Sequence, residues 1–264
     1  MFCSIRIEQV RTIYDSNISM EALRQFGQYC LLLYQALRSV TEFSTYRQNL
    51  FSEFVKTGYE SIPIIMLTGI FTGAVLTLQT AYQLDTDLLS ETIVGSIVGQ
   101  SILIELAAVI GALVLAGKVG ARISTELGTM RVSEQIDALE SMGFNSVTFL
   151  VVPRILAGIC MFPLLYATAG TTGIIGGITA GAFAGILAPA DFIQGAREYF
   201  FAEDVVFGIV KSVVFGFVIT SISSFKGYFA FGGAEGVGKA TTQSNVISCI
   251  YILLADFFLA AILL

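Results

Sequence analysis

Residues 147–189 read VTFLVVPRILAGICMFPLLYATAGTTGIIGGITAGAFAGILAP, and how often this stretch crosses a bilayer decides the fold. Its single charged residue is Arg154. One crossing takes about 20 apolar residues, so the stretch is too long for one simple span. The charges around it set the topology. Lys118, Arg122, Arg131 and Arg154 cluster around the loop before it, and Lys226 and Lys239 sit in a loop after it. Loops on the cytoplasmic side of a membrane carry the excess of Lys and Arg, so both loops belong on that side, or on the stromal side in an organelle. The 84–94 loop holds Asp85, Asp87 and Glu91 with no Lys or Arg, and belongs outside. An even number of crossings must then separate the two basic loops. The apolar run 205–225 supplies one, leaving a single crossing for 147–189. With 62–83, 95–117 and 246–264 the chain has five spans, its N-terminus inside and its C-terminus outside. The surplus apolar length is expected as a long tilted helix or a re-entrant tail on the outer side.

Composition agrees with a membrane setting. Of 264 residues, 55% are hydrophobic and 13% charged, against about 25% charged in a soluble domain. Too few charges remain to cover a water-exposed surface, which excludes a soluble enzyme. The net charge of −6 argues against a nucleic-acid partner. The absence of His removes the commonest metal ligand and general base, so no catalytic or metal site is expected. Cys3, Cys30, Cys160 and Cys249 are scattered without a C-x-x-C pair, and Cys160 and Cys249, in apolar runs, read as small hydrophobes.

Residues 1–60 form an N-terminal interfacial amphipathic region ahead of a 61–264 transmembrane domain. Leu23, Phe26, Cys30, Leu33, Tyr34 and Leu37 recur at helical spacing, with Ser19 as a cap and Glu21 in the first turn. Phe43, Tyr46, Leu50, Phe51, Phe54 and Val55 do so again, beside Arg47 and Lys56. Such segments lie in the membrane interface. Gly173, Gly177, Gly181 and Gly185 recur every fourth residue, and Gly69 and Gly73 repeat the spacing. Small stripes of this kind let helix backbones approach in lipid, where hydrophobicity no longer drives association.

Two ionisable residues, Glu105 and Asp256, stand inside apolar runs, where a lone carboxylate is costly. Glu105 is read as lining a cavity and Asp256 as tying helices together. Lys211, near one end of its span, is expected to snorkel to the interface. The run from Gly233 to Lys239 fits G-x-x-x-x-G-K, but Ala240 stands where a phosphate-binding loop needs a hydroxyl, and no strand precedes it. It reads as a flexible cytoplasmic loop, and the chain is not expected to hydrolyse ATP.

The densest internal charge lies between the second span and the long apolar stretch. From Gly120 to Gly143 it carries Arg122, Glu126, Arg131, Glu134, Asp137 and Glu140. Val132, Ile136 and Leu139 keep helical spacing, Glu134, Asp137 and Ser141 form another face, and Gly143 is a natural stop. A short charged helix clamped between two spans, about 126–142, suits force transmission from a cytoplasmic partner; an ordinary solvated loop helix fits the pattern equally well.

Glu126-Leu-Gly-Thr-Met-Arg131, Glu134-Gln135-Ile136 and Val152-Pro153-Arg154 resemble the signature of the MlaE permeases, membrane subunits of lipid-transporting ABC systems that work with MCE-domain proteins. The likeness extends through Gly73–Gln79, Glu105-Leu106, Lys211–Phe215, Gly238–Thr242 and Asp256-Phe257, nearly the whole chain from residue 20, and includes plastid members. The resemblance implies five spans, an interfacial helix and a cytoplasmic coupling helix between the second and third spans. It also implies a homodimer, a separate ATPase that carries the ATP and magnesium, an MCE-domain partner and a lipid cavity. By that likeness Glu126, Arg131, Glu134, Gln135 and Asp137 engage the ATPase, and Leu76, Gln79, Glu105 and Leu106 line or adjoin the lipid path. Some relatives carry Arg immediately before the matching Glu, where this chain has Ile104, so headgroup preference does not carry over. The alternative is a stand-alone secondary transporter or channel, which would place ion-coupling acids on broken midplane helices. Residues 1–18 contain Glu8 and Asp15 and do not read as a transit peptide. The membrane expected is therefore a plastid envelope for a plastid-encoded chain, and otherwise a bacterial or cyanobacterial inner membrane.

Overall fold

A computed structural model describes residues 23–39, 43–84 and 92–263, apart from the side chains of 43–46 and 48. Ser19, Glu21, the acidic 84–94 loop residues Asp85, Asp87 and Glu91, and the side chains of Phe43 and Tyr46 lie outside that description. The described residues form helices joined by short turns, with no strand among them, and five helices are long and apolar enough to cross a membrane: Asn49–Gln83, Thr92–Val132, Val147–Phe183, Ala202–Tyr228 and Gly233–Leu263.

The amphipathic helix α1 (23–39) turns Leu32 and Ala36 inward and leaves Leu23, Phe26, Leu31, Tyr34 and Leu37 exposed. Tyr29 anchors it, with its hydroxyl 2.8 Å from Ser221 Oγ and its ring edge-on to Phe225. Helix α2 (Phe43–Thr57) is followed by a 3-10 turn at Tyr59–Ser61 that leads into α3 (Ile62–Gln83). α2 therefore continues into the first span rather than lying apart from it. The second span comprises α4 (Thr92–Ser101), α5 (Ala107–Leu115) and α6 (Ala121–Val132), joined by π-helical turns at Ile102–Leu106 and Ala116–Gly120.

The expected coupling helix is divided. Its first half is α6, the extension of the second span. Its second half is the short α7 (Gln135–Ser141). Between them Glu134 takes a left-handed conformation, φ 59°, and Ser133 folds back so that its amide and hydroxyl both donate to Thr129 O. The break turns α7 until Ile136 is fully buried. α7 stops before Gly143, as its sequence implied.

Residues 147–183 form one continuous helix, long and apolar enough for a single crossing. A π-helical turn at Val147–Val151 opens α8 (Val152–Phe183), together about 55 Å long against an apolar thickness of about 30 Å. The surplus length is the helix itself. Gly185, at φ 68°, ends it in a left-handed turn whose next amide, of Ile186, reaches back to Gly181 O. The short helix α9 (Pro189–Glu198) follows and packs against α4, with Phe192 buried. α10 (Ala202–Tyr228) and α11 (Gly233–Leu263) complete the bundle.

The glycine stripe faces α3. A Cβ on Gly73 would lie 1.8 Å from Gly173 O, and one on Gly176 would lie 2.2 Å from Ile70 O. α3 and α8 thus touch backbone to backbone, as the spacing predicts. Gly185 belongs to the turn instead. The Gly233–Lys239 segment is helical, correcting its reading as a loop. Val237 is buried beside Gly128 of α6, and this packing overrides the weak helix preference of three glycines.

The 133–146 segment and the C-terminal end of α10 meet at one end of the bundle. Ser146 and Tyr228 both donate to Glu140 Oε1, at 2.6 and 3.0 Å. This contact supports the parity argument and defines a basic end. Those two hydroxyls hold the Glu140 carboxyl below its ordinary value of 4.5. A depressed carboxyl stabilises the fold above its unfolded value and loses that contribution as pH falls through the folded one. Tyr228→Phe should cost under about 1 kcal/mol near pH 7. The melting difference from wild type should shrink below about pH 4.5; a difference constant down to pH 3 would exclude the linkage.

Candidate functional site

At the basic end, charges from three distant segments converge. Arg122 on α6 donates to Glu53 on α2 at 2.8 Å and to Thr57 at 3.1 Å. Arg154 at the start of α8 lies 3.4 Å from Glu53 and 3.1 Å from Glu126. Lys56 is 3.6 Å from Glu126, and Arg122 is 3.3 Å from it one helical turn back. Glu53 and Arg154 are buried. Spacing along the chain could suggest only the Arg122–Glu126 pair, one turn apart on α6; the other contacts join different helices. The signal available was Arg154, the one charge in the 147–189 stretch, which needs a buried counter-ion.

The five residues implied in coupling separate into three settings. Glu126 sits in the ion cluster just described. Arg131 and Asp137 pair with each other at 2.7 Å across the break, and the Arg131 guanidinium lies 5.9 Å above the Tyr228 ring. Glu134 and Gln135 are exposed on the turn, where Gln135 donates to Ser133 Oγ at 3.0 Å. The result is a charged knuckle seated on the bundle through Ile136.

Within the membrane-spanning region the main polar feature is a triad. Lys211 on α10 is fully buried, with Nζ 2.5 Å from Glu105 Oε2 and 2.7 Å from Asp256 Oδ1 on α11. Nζ also lies 4.6 Å from the Phe207 ring centre. Lys211 therefore does not snorkel. It stands nine residues inside a helix that starts at Ala202, about 14 Å along the axis, beyond the reach of its own stem. The π-helical turn at Ile102–Leu106 carries Glu105, and Tyr166 steadies that turn by donating to Leu103 O at 2.8 Å. Asp256 ties α11 to α10.

Leu76, Gln79 and Leu106 meet in a groove of about 420 Å³, walled also by Phe71, Val75 and Ile110. Glu105 is not part of its lining and points to Lys211. Of the four residues implied in a lipid path, three share this groove and the fourth belongs to the triad. The groove is apolar apart from Gln79 and Thr72. Among the described residues no group of three or more Asp, Glu or Cys side chains is placed to hold a metal ion, and Cys30, Cys160 and Cys249 are free thiols.

The whole-chain arrangement has known counterparts. The family model described as Permease MlaE matches residues 50–262. A probable ABC transporter permease protein of Rickettsia bellii is 34% identical over 236 residues, covering 89% of this chain and 91% of the relative. The intermembrane phospholipid transport system permease protein MlaE of Haemophilus influenzae is 31% identical over 245 residues, 92% of this chain and 94% of that one. The chloroplastic Protein TRIGALACTOSYLDIACYLGLYCEROL 1 of Arabidopsis thaliana is 32% identical over 221 residues, 81% of this chain and 61% of its own length.

Proposed function

The chain belongs to the MlaE permease family, and from that premise we propose that it is the membrane subunit of an ABC-type transporter moving phospholipid- or glycolipid-class lipids. A separate ATPase subunit drives it and carries the ATP and magnesium, and this chain catalyses no reaction. The observation that carries the reading is the α6–α7 knuckle. It presents Glu134, Gln135 and Asp137 to solvent at the basic end, while Ile136 and the Ser146–Tyr228–Glu140 contacts fix it to the bundle. A push on the knuckle is transmitted through α6, which is continuous with the second span, to the Glu105 turn and the Leu106 wall of the groove.

Two copies pair around a shared lipid cavity, an MCE-domain protein exchanges lipid with that cavity, and each copy docks one ATPase. The basic end faces the cytoplasm or stroma. The membrane is a bacterial or cyanobacterial inner membrane, or a plastid envelope. The groove beside Leu76, Gln79 and Leu106 supports lipid over a small polar solute as the cargo.

Co-purification tests the assignment. Glu134→Lys combined with Asp137→Lys should reduce recovery of a candidate ATPase on the tagged permease about tenfold or more, because reversal removes two charges and opposes any basic dock. The lost Arg131–Asp137 pair is exposed and contributes under about 1 kcal/mol, so the fold survives. Undiminished ATPase recovery by a folded double variant refutes the coupling role.

A further inference from the structure

A cleft at the basic end, distinct from the α3–α5 groove, lies among α1, the last turn of α10 and the first turns of α11. It encloses about 660 Å³. Its lining includes Arg24 and Gln25 of α1, Lys226 of α10 and Lys239 of α11, with Phe229 and Phe231 of the connecting turn. Three cations and one acid, Glu235, line it, giving a local charge of +2 in a chain whose net charge is −6.

These cations differ from most of the others. Lys56, Arg122, Arg131, Arg154 and Lys211 each have a carboxylate within 4.0 Å. Among the described residues none of Arg24, Lys226 and Lys239 forms such a pair, and the Lys226 ammonium instead donates to Gln25 Oε1 at 3.1 Å. Gathering unpaired cations in a concavity raises their mutual repulsion and desolvation unless an anion joins them. The backbone adds to the positive field. α11 begins at the cleft, with Gly232 and Gly236 in its lining, and the positive end of a long helix's dipole favours negative charge.

One part of the cleft is aromatic, and the Lys226 ammonium lies 5.8 Å from the Phe225 ring centre. Phe225, Phe229 and Phe231 line that part, and the Phe231 side chain is 90% exposed, a position stable in hydrocarbon or at the interface rather than in water. Cations beside exposed aromatic rings at the end of a span match a phosphate with acyl chains attached. An acidic protein surface would satisfy the cations and leave the rings in water. We infer that this cleft binds the phosphate headgroup of an anionic lipid from the leaflet at the basic end, and that the bound lipid staples α1 to the α10–α11 turn. The inference is independent of whether the α3–α5 groove carries transported lipid.

The full chain in neutral detergent is titrated with dihexanoyl phosphatidylglycerol, dihexanoyl phosphatidylcholine or inorganic phosphate, and bound ligand is counted by native mass spectrometry. Arg24→Gln, Lys226→Gln and Lys239→Gln together should weaken phosphatidylglycerol binding about tenfold or more, while Arg47→Gln with Arg197→Gln, both exposed elsewhere, should change it less than about twofold. Lys239→Glu alone, at an exposed position, should weaken it about fivefold without touching the fold. Phosphatidylcholine should bind wild type and triple variant equally weakly. Displacement of the lipid by inorganic phosphate at equal concentration supports the anion site but overturns a lipid as its occupant. Equal losses in the triple and control variants, or phosphatidylcholine held as tightly as phosphatidylglycerol, overturn the site. A triple variant that keeps phosphatidylglycerol but loses a co-purifying ATPase shows a protein dock and overturns it too.

Discussion

Lys211→Met should destabilise the bundle by about 3–5 kcal/mol, the range for removing one partner of a buried ion network. Methionine preserves the volume of the stem, so the cost reports the lost ammonium, with its two carboxylates and the Phe207 ring 4.6 Å away, rather than a cavity. What remains is Glu105 and Asp256 facing an empty ammonium position. Asp256 is the more confined, with 17% of its side chain exposed against 39% for Glu105. Most of the cost therefore arises on α11, and the exposed face of Glu105 holds the total toward the low end. Thermal unfolding of the full chain in one detergent measures it. Glu105→Gln and Asp256→Asn added to Lys211→Met should recover most of the loss, since neutral amides need no counter-ion. A Lys211→Met protein that melts with wild type, or a triple variant as unstable as the single one, would show that the triad contributes no net attraction.

The spans were legible because each is a local property of the chain. The run 62–83 coincides with α3, and the charge rule required 147–189 to cross once, as the single long helix α8 allows. The glycine stripe was readable for the same reason, since small residues at every fourth position declare a face before its partner is known. The charges were not legible in the same way. Lys211 reads locally as a snorkelling lysine, and only the packing of α10 against the Ile102–Leu106 turn and α11 supplies its two carboxylates. Glu53 and Arg154 belong to helices about 100 residues apart in sequence, joined by the docking of α2 on α8. The break in the 126–142 helix carried no Gly or Pro signal. Ser133 and Glu134 are ordinary helix residues, and the burial of Ile136 outweighs the cost of a left-handed glutamate. The same applies to 233–239, where packing against α6 converts a glycine-rich run into helix.

Gly73→Leu should prevent native assembly, and Gly73→Ala should cost about 3 kcal/mol, the upper end for overpacking. The reason is what the added atom meets. At most core positions a new methyl displaces a side chain that can turn away, but here a Cβ would lie 1.8 Å from Gly173 O, a backbone atom of a regular helix. Neither backbone yields locally, so α3 and α8 must separate along their whole contact. That contact also holds Gly69 against Ala169 O and Gly176 against Ile70 O, where a Cβ would sit at 2.7 and 2.2 Å. Pushing the helices apart at Gly73 forfeits dispersion at all three crossings, and lipid tails supply no compensating drive to re-close them. Gly238→Ala provides the opposite case. Nothing lies within 4 Å of a Cβ at Gly238 in α11, so the substitution should stabilise that helix by up to about 1 kcal/mol through backbone entropy alone. Melting temperatures in one detergent should therefore move in opposite directions for two glycine-to-alanine changes. Parallel shifts of equal size would mean that helix propensity, not backbone contact, sets the role of Gly73. Since α3 also forms one wall of the groove through Leu76 and Gln79, the separation that destabilises the bundle also widens the proposed lipid path.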